Sequence, residues 1–395
     1  MKVLFYLLDG ETNASSRHRV LQYFSKLREH GIAPSASRPV PEPLYRRLVE
    51  REGRRERLHP PPSAPEHSVG GVTASVTRSA YRGKLGGIGA KAAFYSVFLA
   101  LRTLDVLRAD TFDVVVIQRD LFPFGPPWLE RALLRRNSHL VYDTDDATYL
   151  RPVFTPNTLF QKLRRFDKVT EVVARAAWVS AATPAIADWA RRYNAHVSVV
   201  PMAVDLAEYD RAREVASVRR DGLLVIGWAG TAGGLGYLKK IAPVLAEICA
   251  SHNVLVRVIS GGYRELCLPG VRLDARPWRT ATGLRDMAAF DIGLVPLDDT
   301  PFEQAKFPFK LLQYLALGVP SISASVGIAT SVIRHGENGL LVDSPAAWRD
   351  ALARLIADAQ LRRELSIAGR QTVEASFTVD RVGPLLVDGL RGAAA

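Results

Sequence analysis

The sequence has few cysteines and no long apolar run. Its 395 residues include two cysteines, Cys249 and Cys267. Two thiols are too few for a disulfide scaffold or a four-cysteine zinc site, so we interpret both as ordinary buried thiols. The apolar run after Lys2 ends at Asp9, which is too short for the core of a signal peptide. The apolar stretch at 92–101 is about half of a membrane span. We therefore expect a cytoplasmic protein.

Acidic residues are scarce in the first half relative to basic ones. The net charge is +12, and residues 1–203 contain 30 Lys and Arg against 19 Asp and Glu. The remaining residues are nearly balanced, with 22 against 21. A basic half suggests an anionic partner such as a phospholipid surface, a phosphorylated acceptor or nucleic acid. Solubility combined with an arginine-rich composition explains the charge equally well.

Strand-like and helix-like segments alternate in the first half of the chain. Buried strands are predicted at 2–8, 112–118, 139–143, 178–183 and 196–201. Amphipathic helices are predicted from Ser16 to His30 and at about 91–109. Residues 41–90 break this rhythm with Pro, Gly, Arg and Ser, and they include the very basic YRRLVEREGRRERL. We interpret them as a basic insertion.

A second alternating series begins after a connector at 201–210. Its strands are predicted at 223–229, 254–260, 291–297 and 320–325, and the chain is helical from Pro345 with a break near 376–380. Continuous apolar strands that alternate with helices are typical of parallel sheets covered on both faces. The chain is long enough for two full cores. We predict α/β domains at 1–203 and 204–376, and a final helix over 377–395 that returns to the first domain.

A helix start within KFPFKLLQYLALG carries the strongest chemical signal. Pro308 suits the first helical position, because its missing N–H would have no partner there. Lys306 and Lys310 nevertheless crowd an end that already carries partial positive charge. Free amides and point charges together suit a diphosphate. Gln313 lies one turn beyond Lys310, where it could bond a ribose hydroxyl. Two solvated surface lysines are the alternative.

Two further loops also follow predicted strands. In parallel sheets, ligands bind in a cleft beyond the carboxyl ends of the strands, so these loops should face the same cleft as the lysines. The glycine-rich loop at 227–240 lets backbone approach a phosphate closely, although it is not a GxGxxG motif. The run Asp143-Thr144-Asp145-Asp146 has the spacing of a metal-binding D-x-D, but it also fits an acidic loop that lines the cleft. Basic side chains just past strand ends either point into this cleft or pair with those aspartates; they are Arg17, Arg19 and Arg119. Trp278 packs near a base or in the core.

The motifs together resemble the family-4-type glycosyltransferases. The pattern KxPxKxxQYxAxGxP is followed by SVG and HGENGLLV. Other matching pieces occur in the same order: SSRHRVLQY (15–23), VVVIQRDLFPFGPP (114–127), VYDTDDATY (141–149) and VVPMAVDLAEY (199–209). The resemblance implies a GT-B fold, in which two doubly wound Rossmann-like domains face a cleft. It also implies a nucleotide-sugar donor bound by the second domain, an acceptor on the first, retention of configuration and no obligatory metal, and we expect no cofactor.

The residue pattern and the resemblance together give a predicted site. Donor binding is predicted for Gly230, Thr231, Trp278, Phe307, Pro308 and Gln313. Contact with the acceptor or the cleft is predicted for Ser16, Arg17, Arg19, Arg119 and Asp143. The catalytic residues are predicted to be Asp145, Asp146, Lys306 and Lys310. The lysines and Thr231 would stabilise the leaving diphosphate, and front-side attack needs no general base, although either aspartate could assist.

The sequence departs from the family pattern at two places. Many members carry a glutamate pair at the positions of Ala305 and Gln313, and an Arg and a Lys at those of Thr231 and Tyr237. A catalytically silent nucleotide- or partner-binding protein is therefore one alternative. A sugar-nucleotide epimerase or a glycogen-phosphorylase-like enzyme with the same fold is the other. We expect an anionic or lipid-linked acceptor, peripheral contact with the inner membrane face through the basic insertion and the 91–109 helix, and no nucleic acid.

Overall fold

The computed structural model describes residues 1–7, 14–38, 88–151, 165–215 and 223–395. Most of the predicted insertion at 41–90, including YRRLVEREGRRERL, lies outside these ranges, as does Asp9. Among the described helices, none is both long and apolar enough to cross a bilayer.

Six parallel strands form the first sheet in the described part of the chain. Its order is β2-β1-β3-β4-β5-β6. The strands are β1 (Lys2–Tyr6), β2 (Ala33–Ser37), β3 (Val114–Gln118), β4 (Leu140–Thr144), β5 (Trp178–Ala181) and β6 (Val197–Val199). The register sets Val3 beside Val114 and Val116 beside Val141. Since β1, β3, β4 and β5 are buried almost throughout, they have the continuous apolar sequences of doubly covered strands.

A second sheet of six parallel strands follows, in the order β12-β11-β10-β7-β8-β9. The strands are β7 (Leu224–Gly230), β8 (Val254–Ser260), β9 (Leu273–Arg276), β10 (Ile292–Val295), β11 (Ser321–Ala324) and β12 (Leu340–Val342). Strand β7 lies at the centre, and its register sets Trp228 beside Val258 of β8. The two doubly wound parallel sheets that the alternation predicts are confirmed.

Helices cover both faces of each sheet. Those before β7 are α1 (Ala14–Arg19), α2 (Phe24–Glu29), α3 (Ile88–Leu107), α4 (Trp128–Arg136), α5 (Lys168–Arg175), α6 (Pro184–Arg191) and α7 (Leu206–Glu214). Those after β7 are α8 (Leu235–Lys240), α9 (Ala242–Ser251), α10 (Gly283–Ala288), α11 (Pro301–Ala305), α12 (Phe309–Ala316), α13 (Ala329–Val332), α14 (Pro345–Ala357), α15 (Ala359–Ser376) and α16 (Val379–Ala394).

The last helix, α16, returns to the first sheet. Thr378 caps its start, because the threonine hydroxyl accepts the backbone N–H of Arg381. Its apolar face, which includes Val382, Leu386 and Leu390, joins the core around β1 and β3. The predicted crossing of the C-terminal helix is therefore present, and it ties the two halves of the chain together.

Several local predictions are wrong in detail. The helix predicted from Ser16 to His30 is interrupted after α1, where Val20 leaves helical geometry and a short 3-10 turn leads into α2. Pro308 precedes the helix as its N-cap instead of being its first residue, so α12 begins at Phe309. Cys267 is exposed and Cys249 only partly buried, which corrects the expectation of two buried thiols.

Candidate active site

The ammonium group of Lys310 rests on an aromatic ring. Its Nζ lies 3.9 Å from the centroid of the Trp228 ring, and Trp228 is fully buried near the carboxyl end of β7. A cation over the face of an indole is attracted by the ring quadrupole. Burial, and then the charge of Lys306, lower the pKa of Lys310 well below its usual value. The ring thus holds this cation in place without neutralising it.

Both lysines lack a carboxylate partner among the described residues. Lys306 precedes α12 and its Nζ lies 5.9 Å from the ring centroid of Phe302. Neither ammonium has an ion pair in the described ranges, and the first turn of α12 contains no acidic residue. The first-turn amides of a helix have no partner within the helix and carry partial positive charge. This end of α12 is therefore suited to bind an anion.

The glycine-rich loop after β7 borders the same place. A Cβ built on Gly230 would lie 3.0 Å from Lys310 Nζ and 2.7 Å from the Trp228 ring, so a side chain here would displace the lysine or the indole. Thr231 follows and is exposed. On the other side, Phe307 and Pro308 are buried under the helix start. Five predicted donor-side residues thus come together: Gly230, Thr231, Lys306, Pro308 and Lys310.

Trp278 and Gln313 lie in different surroundings. Trp278 is partly buried after β9, and its ring packs so closely on Gly283 that a Cβ there would be 2.7 Å away. A cavity of about 320 Å³ lies beside it, lined by Arg276, Pro277, Arg279, Thr282, Arg285 and Asp286. Gln313 is nearly buried, and its Nε2 lies 3.4 Å from the hydroxyl of Tyr209 on α7.

Arg19 and Asp143 neutralise each other inside the first domain. Arg19 donates to both carboxylate oxygens of Asp143, to the hydroxyl of Ser180 at 2.8 Å, and to the carbonyls of Val200 and Pro201. Both ion-pairing side chains are almost fully buried. The structure therefore corrects their predicted role as cleft ligands: the salt-bridge alternative holds for this arginine, and the pair joins α1 to β4, β5 and the segment after β6.

Arg119 holds the other two aspartates. Its Nε lies 2.6 Å from Asp145 and its Nη2 lies 2.7 Å from Asp146. Ser15 donates to Asp145 over 2.8 Å. Although burial opposes it, the charge of Arg119 lowers the pKa of Asp145 to about 2. Within the described ranges, no group of three or more His, Cys, Asp or Glu is arranged to hold a metal ion.

The segment Ser16-Arg17-His18 meets α12 across the cleft. Ser16 is buried and donates to Gln118 over 3.2 Å. His18 is also buried, and its ring centroid lies 4.3 Å from that of Phe309, the first residue of α12. Burial, and then the charge of Arg17, lower the pKa of His18 to about 3, so its ring is neutral. Arg17 therefore stands beside the helix start that Lys310 occupies.

Ala305 is part of a contact between the two domains. Its carbonyl accepts the hydroxyl of Thr183, the N-cap of α6, over 2.8 Å. Its side chain lies in an apolar cluster with residues of the first domain, namely Ala147, Ala181, Ile186 and Ala187. A glutamate at this position would bring a carboxylate into that cluster. The apolar surroundings of Ala305 therefore suit alanine at the position where many family-4-type glycosyltransferases carry the first glutamate.

Glu303 and Tyr237 form a buried pair close to the cleft. Glu303 is 1% exposed and accepts hydrogen bonds from the hydroxyls of Tyr237 and Thr300. Burial, followed by this carboxylate, raises the pKa of Tyr237. Tyr237 is therefore neutral, and it cannot replace the positive charge that many family members carry at its position.

Comparison with known proteins agrees with this geometry. Residues 235–358, which include β8–β12 and both lysines, match the family described as glycosyl transferases group 1. A D-inositol 3-phosphate glycosyltransferase from Salinispora arenicola is 30% identical over 53% of this chain and 54% of its own length. A GDP-mannose-dependent alpha-(1-6)-phosphatidylinositol monomannoside mannosyltransferase from Mycobacterium tuberculosis is 36% identical over 20% of this chain and 22% of its own. The chain thus spans between about a fifth and just over half of these relatives.

Solved structures extend the likeness to nearly the whole chain. A sucrose-phosphate synthase from Thermosynechococcus elongatus superposes with a TM-score of 0.67 at 16% identity and covers 99% of this chain and 98% of its own. HepE from Anabaena, solved with UDP and glucose, gives 0.61 at 14% identity and covers 99% of both chains. The fold is GT-B. The GT-B fold and the group 1 match support the GT4-type family that the motifs resemble, and the predicted fold class is confirmed.

Sequence reasoning missed the aromatic part of this GT-B cleft. Trp228, His18, Phe309 and Tyr209 were not predicted, although they contact or support Lys310, Arg17 and Gln313. Trp228 lies within the glycine-rich loop at 227–240, so an aromatic residue beside glycines was the available signal. The contact between the rings of His18 and Phe309 joins residues from different domains that are far apart in the sequence, so no local pattern predicts it.

Proposed function

We propose that this chain is a glycosyltransferase that moves a sugar from a nucleotide-sugar donor to an acceptor hydroxyl with retention of configuration. The observation that carries the proposal is the uncompensated pair Lys306 and Lys310 at the start of α12, against the loop at Gly230. The group 1 match covers this part of the chain. HepE, a structural neighbour, has been solved with UDP and with UDP-glucose.

The donor is assigned to the second domain. Its diphosphate binds the two ammonium groups, the free amides of α12 and the hydroxyl of Thr231. Its base lies towards Trp278 and the adjoining arginine-lined cavity, at the carboxyl ends of the same strands. Gln313 remains our predicted ribose ligand, acting through the part of its amide that does not bond Tyr209.

The chemistry is stabilisation of a leaving group. As the bond between the sugar and the diphosphate breaks, negative charge grows on the phosphate oxygen that faces Lys310, and a fixed cation in a partly dry site stabilises that charge. In front-side attack this oxygen accepts the proton of the acceptor hydroxyl, so the protein need not supply a base. Asp145, with a pKa of about 2, is a weak base, and assistance by Asp146, which is paired with the same Arg119, stays a prediction.

Ligand binding and turnover together test this assignment. We expect UDP or GDP to raise the melting temperature of the purified protein, since a ligand at 100 times its dissociation constant stabilises by about 2.7 kcal/mol. We also expect slow hydrolysis of the matching nucleotide sugar, and a product whose anomeric proton coupling shows retention. Binding without turnover would favour the catalytically silent alternative, and interconversion of nucleotide sugars without an acceptor would favour an epimerase.

Turnover should not need a divalent metal ion. The aspartates of the D-x-D run are occupied by Arg19 and Arg119, and the lysines supply the charge that a metal would otherwise supply. Addition of EDTA should leave donor turnover unchanged within experimental error. If EDTA abolishes donor turnover and manganese restores it, these aspartates bind a metal ion after all.

The acceptor is proposed to be anionic and presented at a membrane surface. The relatives described above are named for an inositol phosphate and for a phosphatidylinositol mannoside. Three exposed apolar side chains, Val97, Leu104 and Leu107, follow one face of α3, and Trp128 is exposed at the start of the neighbouring α4. Arg136 donates to the carbonyl of Leu107 at this face, and its guanidinium also lies 3.6 Å from the carboxylate of Asp110. Apolar side chains, tryptophan and arginine together suit the interface of an anionic bilayer.

Vesicle binding tests the membrane assignment. The protein should sediment with vesicles rich in phosphatidylserine at low salt, and Leu104→Gln should weaken sedimentation several-fold. Ile367→Gln is the matched control, because Ile367 is an equally exposed aliphatic residue on α15 of the second domain. If the two variants behave alike, or if neutral vesicles bind equally well, the α3–α4 face is not the membrane contact.

A further inference from the structure

Three arginines of the first domain were predicted to point into the cleft, and they differ in charge balance. Arg19 is paired with Asp143, and Arg119 is paired with Asp145 and Asp146. Arg17 has no ion pair in the described part of the chain. One Arg17 nitrogen, Nη1, is buried and has no hydrogen-bond partner there. Buried N–H groups are nearly always satisfied, so an orphaned donor on a charged group calls for an explanation.

The other side of the guanidinium is fixed by His18. The Nε and Nη2 atoms of Arg17 lie 3.4 and 3.3 Å from His18 Nε2. Because the imidazole is neutral, Nε2 can accept these hydrogen bonds, and its ring is held in turn by Phe309. The guanidinium is therefore oriented from one edge only, which leaves Nη1 directed away from His18.

The guanidinium of Arg17 lies beside the contact between His18 of the first domain and Phe309 of the second, which we call the domain seam. Phe309 starts α12 and is followed directly by Lys310. The hydroxyl of Tyr209 contacts Gln313 of α12, and burial raises its pKa, while the charges of Glu208, Arg17 and Asp205 also act on it. Cations from both domains thus approach one end of α12. Carboxylates act on this region, namely Glu208 and Asp205 on Tyr209 and Asp145 on His18, but none of the described ones forms an ion pair with Arg17, Lys306 or Lys310.

We propose that Arg17 is the first domain's ligand for a phosphate group in the cleft. A guanidinium with one free edge matches the paired oxygens of a phosphate, and a charge-assisted bond of this kind satisfies the orphaned nitrogen. The phosphate belongs either to the diphosphate of the donor or to a phosphorylated acceptor. This inference rests on the proposed function, because it takes the cleft between the two domains as the place of transfer.

The test removes charge while keeping a donor for His18. Arg17→Gln retains a side-chain N–H, and Arg17→Lys retains charge without the planar fork. Arg28→Gln is the control, since Arg28 is an exposed arginine on α2, away from the seam. Calorimetric titration with UDP and GDP measures the donor arm. Titration with inorganic phosphate, first of the free protein and then of protein saturated with nucleotide, measures the acceptor arm.

We expect Arg17→Gln to weaken one arm by about 10–100-fold, the scale of a lost hydrogen bond to a charged group, with Arg17→Lys intermediate and Arg28→Gln unchanged. Weaker nucleotide binding identifies the donor diphosphate. Unchanged nucleotide binding with loss of phosphate binding to the loaded protein identifies an acceptor phosphate. Wild-type affinity in both arms overturns the inference, whatever the melting temperature does. If the wild type binds no nucleotide, the proposed function fails, and phosphate binding by the free protein still tests Arg17.

Discussion

Replacing Lys310 with methionine should lower donor turnover by about 10²–10³-fold, the scale seen when one preorganised charge stabiliser is removed. The methionine side chain can still cover the Trp228 ring, so the change removes the charge and little of the packing. We expect the loss mainly in kcat, because the charge on the leaving phosphate grows in the transition state.

The same change should leave the free protein as stable as before, or more stable. A lysine whose pKa is lowered in the folded state binds fewer protons there than in the unfolded chain. The free energy of unfolding therefore rises with pH from the lowered pKa up to the unfolded value of about 10.4, and below that unfolded value the buried amine is a cost to folding. Lys310→Met removes that cost together with the unfavourable interaction with the helix end.

Kinetics and melting curves are measured together, with and without UDP or GDP. Lys240→Met is the control: this exposed lysine on α8 is paired with Asp298 over 2.7 Å and lies outside the proposed site. Nucleotide should stabilise the wild type and the control much more than Lys310→Met. Full activity and normal nucleotide-induced stabilisation in Lys310→Met would mean that the lysines form a solvated face and that the site lies elsewhere.

The fold could be predicted because its central strands are buried on both sides. Such strands are written as continuous apolar runs, as in VVVIQ of β3 and LVIGWAG of β7. The sheet-edge strand β2, with the sequence APSAS, was not predicted because it is half exposed and its small side chains carry no periodic signal. Its place is set by pairing with β1, which is a tertiary contact.

The donor-side lysines could be predicted because the conflict is local. A positive side chain in the first turn of a helix is unfavourable unless an anion lies opposite, and this can be recognised from sequence spacing alone. The ring under Lys310 could not be predicted, since it lies 82 residues earlier in the sequence (228 to 310) and meets the lysine only after β7 and α12 have packed. The sequence therefore indicated the two lysines but not the aromatic ring that positions Lys310.

The ion pairs of the first domain could not be predicted from the sequence. Strand ends placed Arg17, Arg19, Arg119 and the aspartates near one another correctly, but composition could not decide which of them pair. Arg19 reaches Asp143 across 124 residues and Arg119 reaches Asp145 across 26. These pairings depend on the order of β3, β4 and β5 in the sheet. Arg17 can be recognised as the arginine without an ion pair only after Arg19 and Arg119 have been matched with their aspartates.

Breaking the pair of Arg19 and Asp143 should be among the most destabilising single changes in the first domain. Arg19→Met leaves Asp143 buried with only the hydroxyl of Ser180 among its former side-chain donors. Removing one partner of a buried pair costs about 3–5 kcal/mol, because the other charge remains desolvated. The carbonyls of Val200 and Pro201 lose their donor at the same time. Urea denaturation should show this loss in the free energy of unfolding.

A double variant separates a structural pair from a cleft cation. Arg19→Met with Asp143→Leu should cost clearly less than the two single changes added together, since no uncompensated charge is left. Arg131→Met, which breaks an exposed pair with Glu171, should change the free energy of unfolding little. Nucleotide should still stabilise the folded fraction of Arg19→Met. If that variant were as stable as Arg131→Met yet lost nucleotide binding, Arg19 would act on the ligand, and the first domain's phosphate ligand would have to be sought there instead of at Arg17.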